Sequence, residues 1–192
     1  MLYPINLKIE DTKIIIIGGG KVAYRKCMNF LDFGKKVKLI STEFIDEFEE
    51  IKDKIEMIKD DYDETYIVDS FIVIAATNNK QINYNIGKYC RQHGKLVNVV
   101  DNQELSNFIV PSYVKRGDLL ISISTGGKSP SLSAKIRKEL EESYGEGYEE
   151  YVNILGQARE YIIKNVCDVE QRRRKLRELL DLNIDELRKI IK

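Results

Sequence analysis

The sequence predicts an α/β chain: an open parallel sheet, then a β-hairpin with a helix, then a helical tail. Three observations carry this. From Lys13 to Val100, apolar strands alternate with amphipathic helices, the pattern of a parallel sheet covered on both faces. Ile14 to Ile17 are four consecutive isoleucines, a strand without a polar face and so buried on both sides. That run ends in Gly18-Gly19-Gly20 and then turns helical, so that Gly18, Gly20 and Ala23 fill the three small positions of G-x-G-x-x-G/A. Glycines there let the backbone turn sharply and approach a pyrophosphate, which the N-H groups and dipole of the helix opening at Lys21 and Val22 attract. The first part is therefore Rossmann-like.

The elements follow in order. A helix from Lys21 to Phe33 carries Val22, Ala23, Cys27, Phe30 and Leu31 on one stripe, and Gly34 stops it. A second strand spans Val37 to Ile40, a short helix lies near Phe44 to Glu50, and a third strand covers Glu56 to Lys59. Phe71 to Thr77 is the next buried strand, and Asn78-Asn79 ends it with turn chemistry at the carboxyl edge, where open α/β sheets bind ligands. A helix from Gln81 to His93 and a strand from Leu96 to Val100 bring the chain to Asp101. Phe108–Val114 and Leu119–Thr125 then flank Lys115-Arg116-Gly117-Asp118 as a hairpin, with Ile121 and Ile123 alternating against Ser122 and Ser124. Ser129 and Pro130 open a helix as N-cap and first residue. Beyond Gly145 the chain is helical and charge-rich, with Asn183 and Glu186 capping the last helix. These elements divide into 1–112, a nucleotide-binding domain, 113–145, a hairpin-helix region, and 146–192, a helical region.

Composition narrows the function. With 31 basic and 31 acidic residues in 192, no global field draws the chain to nucleic acid or to a membrane surface. The run Arg172 to Lys175 reads as the solvated face of a helix whose other side is Leu176, Leu179 and Leu180. No apolar run approaches the roughly 20 residues that span a bilayer, and no signal-peptide pattern opens the chain, so a cytoplasmic location is expected. Cys27, Cys90 and Cys167 are isolated and odd in number, which argues against disulfides or a zinc cage and for small buried hydrophobes. His93 is the single histidine, placed to cap a helix, so neither a His-based triad nor a multi-His metal site can form.

Two further features carry chemistry. Ser124-Thr125-Gly126-Gly127-Lys128 precedes a capped helix and combines hydroxyls, glycines and a cation, as an anion cradle does; it also reads as a Gly-Gly turn before an exposed helix. Between Pro111 and Lys138 the bases Lys115, Arg116, Lys128, Lys135, Arg137 and Lys138 face one acid, Asp118, an excess that points to an acidic substrate. Asp101 stands at a strand end in the crevice region, where a carboxylate can take a proton as hydride leaves; the alternative is a turn aspartate.

Gly18 to Lys26 (GGGKVAYRK), Ala75 to Asn78 (AATN), Val97 to Asp101 (VNVVD), Phe108 to Ser112 (FIVPS) and Ile123 to Pro130 (ISTGGKSP) together resemble the precorrin-2 dehydrogenases. That family is related to the amino-terminal module of siroheme synthase, and some members are also sirohydrochlorin ferrochelatases. The resemblance runs from about residue 3 to 142. It implies NAD-dependent oxidation of precorrin-2 to sirohydrochlorin, with Asp101 as the catalytic aspartate and Thr125 at a serine implicated in substrate binding. It also implies an intertwined homodimer built through about 113–145, and in some members Fe2+ insertion without a dedicated metal-binding motif. The cofactor residues it brings together are Gly18, Gly20, Lys21, Val22, Thr77 and Asn78, with Ser41, Thr42 and Glu43 at the ribose end. The ribose-binding acid expected about 20 residues past the glycines is absent from the strand end itself, where Ser41-Thr42 stand and Glu43 follows. No arginine sits there for a 2′-phosphate, which favours NAD. A second reading is a non-catalytic NAD sensor whose helical tail docks a partner; Asp101 and the basic cradle separate the two, since a sensor needs neither.

Overall fold

The computed structural model describes residues 2–191. The chain divides into two compact units that meet at Ile109 and Val110. Both match the α/β expectation in kind.

The first unit is a five-stranded, wholly parallel sheet of order β3-β2-β1-β4-β5. Its strands are β1 (Ile14–Ile17), β2 (Lys38–Ser41), β3 (Glu56–Lys59), β4 (Ile72–Ala75) and β5 (Leu96–Val99). Side chains alternate along a strand, so the isoleucine run feeds two cores at once. Ile14 and Ile16 pack with Leu39, Ile72 and Ile74 beneath α1 (Lys21–Leu31), while Ile15 and Ile17 pack with Val73, Val97 and Val99 beneath α2 (Lys80–Gln92). Each fully buried isoleucine contributes about 1.5–3 kcal/mol, which is why no polar residue interrupts β1.

Both helices end as their glycines dictate. Gly34, at φ +68°, donates to Leu31 O while Lys35 N reaches Phe30 O, a Schellman closure that stops α1 at Leu31 rather than Phe33. Val22 is 38% exposed, so the buried stripe is Ala23, Cys27 and Phe30 only. At the end of α2, His93 occupies the C-cap, its ring stacked on Tyr89 and its Nδ1 2.9 Å from Tyr89 O. The helix expected near Phe44–Glu50 is a 3-10 helix, Asp46–Lys54, because Ile45 N is held by Gly19 O at 3.0 Å and turning starts only after it. β4 is shorter than Phe71–Thr77: Phe71 is exposed, and Thr77 leaves the ladder to bond Asn83. The outer edge of β5 is closed by side chains, Asn107 accepting from Val97 N at 2.8 Å and Ser106 Oγ from Val99 N at 2.9 Å.

In the second unit, β6 (Ser112–Arg116) and β7 (Leu119–Ile123) form an antiparallel pair. Its turn is two residues, Gly117-Asp118, with φ +55° at Gly117, tighter than the four-residue loop expected. Residues 108–111 lie outside β6; Phe108 O is held by Asn98 Nδ2 at 3.2 Å. Helix α3 (Pro130–Ser143) opens as expected, with Ser129 Oγ accepting from Leu132 N. Helices α4 (Gly147–Asn165), α5 (Val169–Glu178) and α6 (Ile184–Ile190) enclose a core of Ala158, Ile162, Leu179 and Leu187, and α6 starts with the Asn183–Glu186 capping box. Arg173 and Arg174 pair with Glu170 and Glu178 on the exposed side of α5; Leu180 is 65% exposed and joins no core, since the 3-10 turn Leu179–Asp181 rotates it outward.

Burial pushes the Cys27 and Cys90 thiols up to about 11 and about 12, whereas Cys167, expected to be buried, is exposed in the stretch between α4 and α5. The thiolate is the reactive form. A disulfide reagent near pH 8 should therefore modify one thiol in the folded chain, Cys167, and all three after denaturation; rapid modification of two or more in the native protein would contradict this packing.

Candidate active site

The carboxyl edge of the sheet is where the candidate residues of the first unit gather. From β1 the chain passes to α1 on one face, and from β4 to α2 on the other, so a crevice opens between two neighbouring strand ends. Each glycine of the turn after β1 has its own reason. Gly18 has φ +127°, and a Cβ on it would lie 2.2 Å from Ala76 O, so no other residue fits between the ends of β1 and β4. Gly19, an unconstrained position in the motif, is equally restricted, since a Cβ there would fall 2.0 Å from Glu43 O. A Cβ on Gly20 would meet nothing within 4 Å. Its free side and the first turn of α1, where Lys21 and Val22 stand exposed, form a cradle that a side chain would fill. That geometry suits a pyrophosphate.

The turn opens into a cleft of about 390 Å³. Its walls are Gly18–Gly20, the segment Ser41–Ile45 after β2, Asp60–Tyr62 after β3, and Ala76–Asn79 after β4. Ser41, Thr42, Glu43, Thr77 and Asn78 are thus brought together with the glycines. Asp60 and Asp61 were not legible as site residues. They line the same cleft as Glu43; Asp60 N donates to Ser41 O at 3.1 Å, and the Asp60 carboxylate is fixed by accepting from Asp61 N at 2.8 Å and from the Tyr66 hydroxyl. Among the described residues no lysine or arginine lines the cleft. Burial, with Glu64 nearby, raises the Tyr62 phenol well above its usual range.

Asp101 lies just past β5, exposed, and outside the cleft wall. It is linked to that wall by Asn83, a fully buried residue of α2. Asn83 Oδ1 accepts from Thr77 N at 3.1 Å and Thr77 Oγ1 at 2.7 Å; Asn83 Nδ2 donates to Thr77 O at 3.0 Å and to Asp101 Oδ2 at 3.2 Å. The signal for Asn83 was a polar residue on the stripe Asn83, Ile86, Gly87, Cys90, otherwise the buried face of α2.

In the second unit, Ser124 to Lys128 form a turn at the start of α3. Gly126 and Gly127 take φ +63° and +82°, Ser124 Oγ accepts from Gly126 N, and Lys128 N donates to Thr125 O. The Thr125 hydroxyl accepts from Ser129 N at 3.0 Å and donates to Ser129 O. Several donors that an anion could use are thus engaged within the loop, which leaves the exposed Lys128 ammonium as its clearest electrostatic feature. The local positive excess is also smaller than the residue count suggests, because Arg116, Lys135 and Arg137 pair with Glu146, Glu139 and Glu141.

Comparison with known proteins places the chain in a family and matches its fold. The model of an NAD(P)-binding family matches residues 5–112, and that of the central part of sirohaem biosynthesis proteins matches 116–143. A siroheme synthase of Psychrobacter cryohalolentis is 30% identical over 187 residues, covering 96% of this chain and 36% of that protein. One from Pseudoalteromonas translucida is 33% identical over 140 residues, covering 72% and 30%. The chain thus spans about a third of the length of the curated relatives it matches. Among solved structures, "SirC, precorrin-2 dehydrogenase" superposes with a TM-score of 0.78 at 25% identity, over 99% of this chain and 97% of that one. Among the described residues no helix is long and apolar enough to cross a membrane, and no group of three or more His, Cys, Asp and Glu side chains could hold a metal ion.

Proposed function

Because this chain belongs to the NAD(P)-binding family shared with siroheme synthases and precorrin-2 dehydrogenases, we propose that it oxidises precorrin-2 to sirohydrochlorin with NAD. The observation that carries the reading is the coupling of an open phosphate cradle at Gly20 to a carboxylate at Asp101, through Thr77 and Asn83, on one sheet edge. NAD, when bound, supplies the hydride acceptor. Gly18 to Gly20 and the first amides of α1 hold its pyrophosphate, with Thr77 and Asn78 on the other wall. Ser41, Thr42 and Glu43 receive the adenosine ribose. Oxidation removes a hydride and a proton from the macrocycle, and Asp101 takes the proton, since the chain's one histidine is spent on a helix end.

The finer assignments follow the same logic. Glu43, Asp60 and Asp61 line the cleft and, among the described residues, no lysine or arginine does; a 2′-phosphate in it would be repelled, which favours NAD over NADP. The exposed Lys128 ammonium, at the end of the turn Ser124 to Gly127, receives carboxylates of the tetrapyrrole. The hairpin-helix region 113–145 joins two copies into a homodimer, as the resemblance implies. Where iron is inserted into the product, Fe2+ is a substrate and Asp101 accepts the pyrrole protons.

Anaerobic incubation with precorrin-2 and NAD should produce NADH absorbance, and NADP should serve at least about tenfold less well, a difference of about 1.4 kcal/mol. NAD binding without any NADH would instead favour a nucleotide sensor with a docking tail.

A further inference from the structure

We propose that Asn83 is a positioning residue for the reaction, fixing the Asp101 carboxylate relative to the cofactor-facing end of β4; this rests on the dehydrogenase reading above. Asn83 is 0% exposed and sits on the side of α2 that packs against the sheet. A buried amide without partners is costly, so each of its atoms must be accounted for. Thr77 N-H can only donate, which orients Asn83 Oδ1 toward it at 3.1 Å. Nδ2 is then left facing two acceptors, Thr77 O at 3.0 Å and Asp101 Oδ2 at 3.2 Å. The amide cannot flip without setting N-H against N-H and oxygen against carboxylate. Its orientation is thereby locked by the backbone of the nucleotide cleft.

The consequence is geometric. Asp101 is an exposed side chain just after β5, and Asn83 is 18 residues away in sequence. Holding one carboxylate oxygen leaves the other to accept a proton from substrate. A catalytic base displaced by about 1 Å loses up to 100-fold in rate, so a side chain with free rotamers gains from such a tether. Asn83 does this without touching substrate, and Thr77 links the same amide to the wall of the cleft.

The test uses the intact protein and the near-isosteric Asn83→Asp. This variant keeps the acceptor for Thr77 N but sets an oxygen against Asp101. We expect kcat for precorrin-2 oxidation to fall about 10- to 100-fold, with the NAD dissociation constant and the KM for precorrin-2 within about twofold of wild type. The melting temperature should drop by about 3–8 °C, and Asp101→Asn added to Asn83→Asp should recover part of it, because the donor toward position 101 then stands on the other partner while the lost donor to Thr77 O is not replaced. A role confined to packing would lower stability equally in both backgrounds and leave kcat of the folded fraction unchanged, and either result would overturn the proposal. A wild type that binds NAD yet makes no NADH would overturn the dehydrogenase reading and this role with it; even then, melting partly recovered by the swap would trace that failure to the chemistry and not to the Asn83–Asp101 contact.

Discussion

Asp101→Ala is expected to reduce precorrin-2 turnover by about 10²–10⁴-fold, the usual worth of a positioned general base, while NAD affinity stays within about twofold and the fold is unaffected. The side chain is exposed, lies outside the nucleotide cleft, and is hydrogen-bonded by Asn83. Its loss therefore removes little packing. The Asn83 amide keeps its three bonds to Thr77, so the cleft wall should not collapse. Any iron insertion should be lost in parallel, since the proton transfers proposed for both reactions are assigned to this carboxylate. Steady-state kinetics with a parallel NAD titration checks this; full activity in either reaction would remove Asp101 from that role.

The second large effect separates three adjacent glycines. Gly20→Asp should weaken NAD binding by about 100-fold or more, equivalent to about 2.7 kcal/mol, with a melting temperature near that of wild type. A Cβ at Gly20 would meet nothing within 4 Å beyond its own chain neighbours, so the side chain would enter the open space proposed for the pyrophosphate, and its charge would repel that group. Gly18→Val should instead destabilise the chain, because its Cβ would stand 2.2 Å from Ala76 O at a φ of +127°. Gly19→Ala should also unfold or severely destabilise the chain, against Glu43 O at 2.0 Å. Calorimetric titration and thermal melts distinguish the outcomes. An unchanged NAD affinity in folded Gly20→Asp would move the pyrophosphate elsewhere.

The parts of the site legible in the sequence were those that local chemistry dictates. The isoleucine run read as a strand buried on both faces, and the three glycines after it as a turn that lets the backbone approach a pyrophosphate. The capping box at Asn183 and the N-cap at Ser129 depend on a few neighbouring residues and were equally readable. What escaped was set by residues distant in the chain. Gly19 looked unconstrained because its obstacle, Glu43 O, follows another strand. Asn83 looked like one more polar residue of an amphipathic helix until Thr77 and Asp101 were seen on either side of it. Asp60 and Asp61 enter the cleft only because β3 pairs with β2 in parallel register. Leu180 and Val22 were assigned to buried stripes by helical periodicity, but a 3-10 turn in one case and the open first turn of α1 in the other leave them exposed.

The most direct test of the central claim is the stoichiometry of a single anaerobic turnover, with NADH and sirohydrochlorin quantified together. If this chain couples ring oxidation to hydride transfer at the β1–β4 crevice, one NADH should form for each sirohydrochlorin, and Gly20→Asp and Asp101→Ala should each suppress both products together. Sirohydrochlorin formed without NADH, or NAD bound while precorrin-2 stays unchanged, would contradict it.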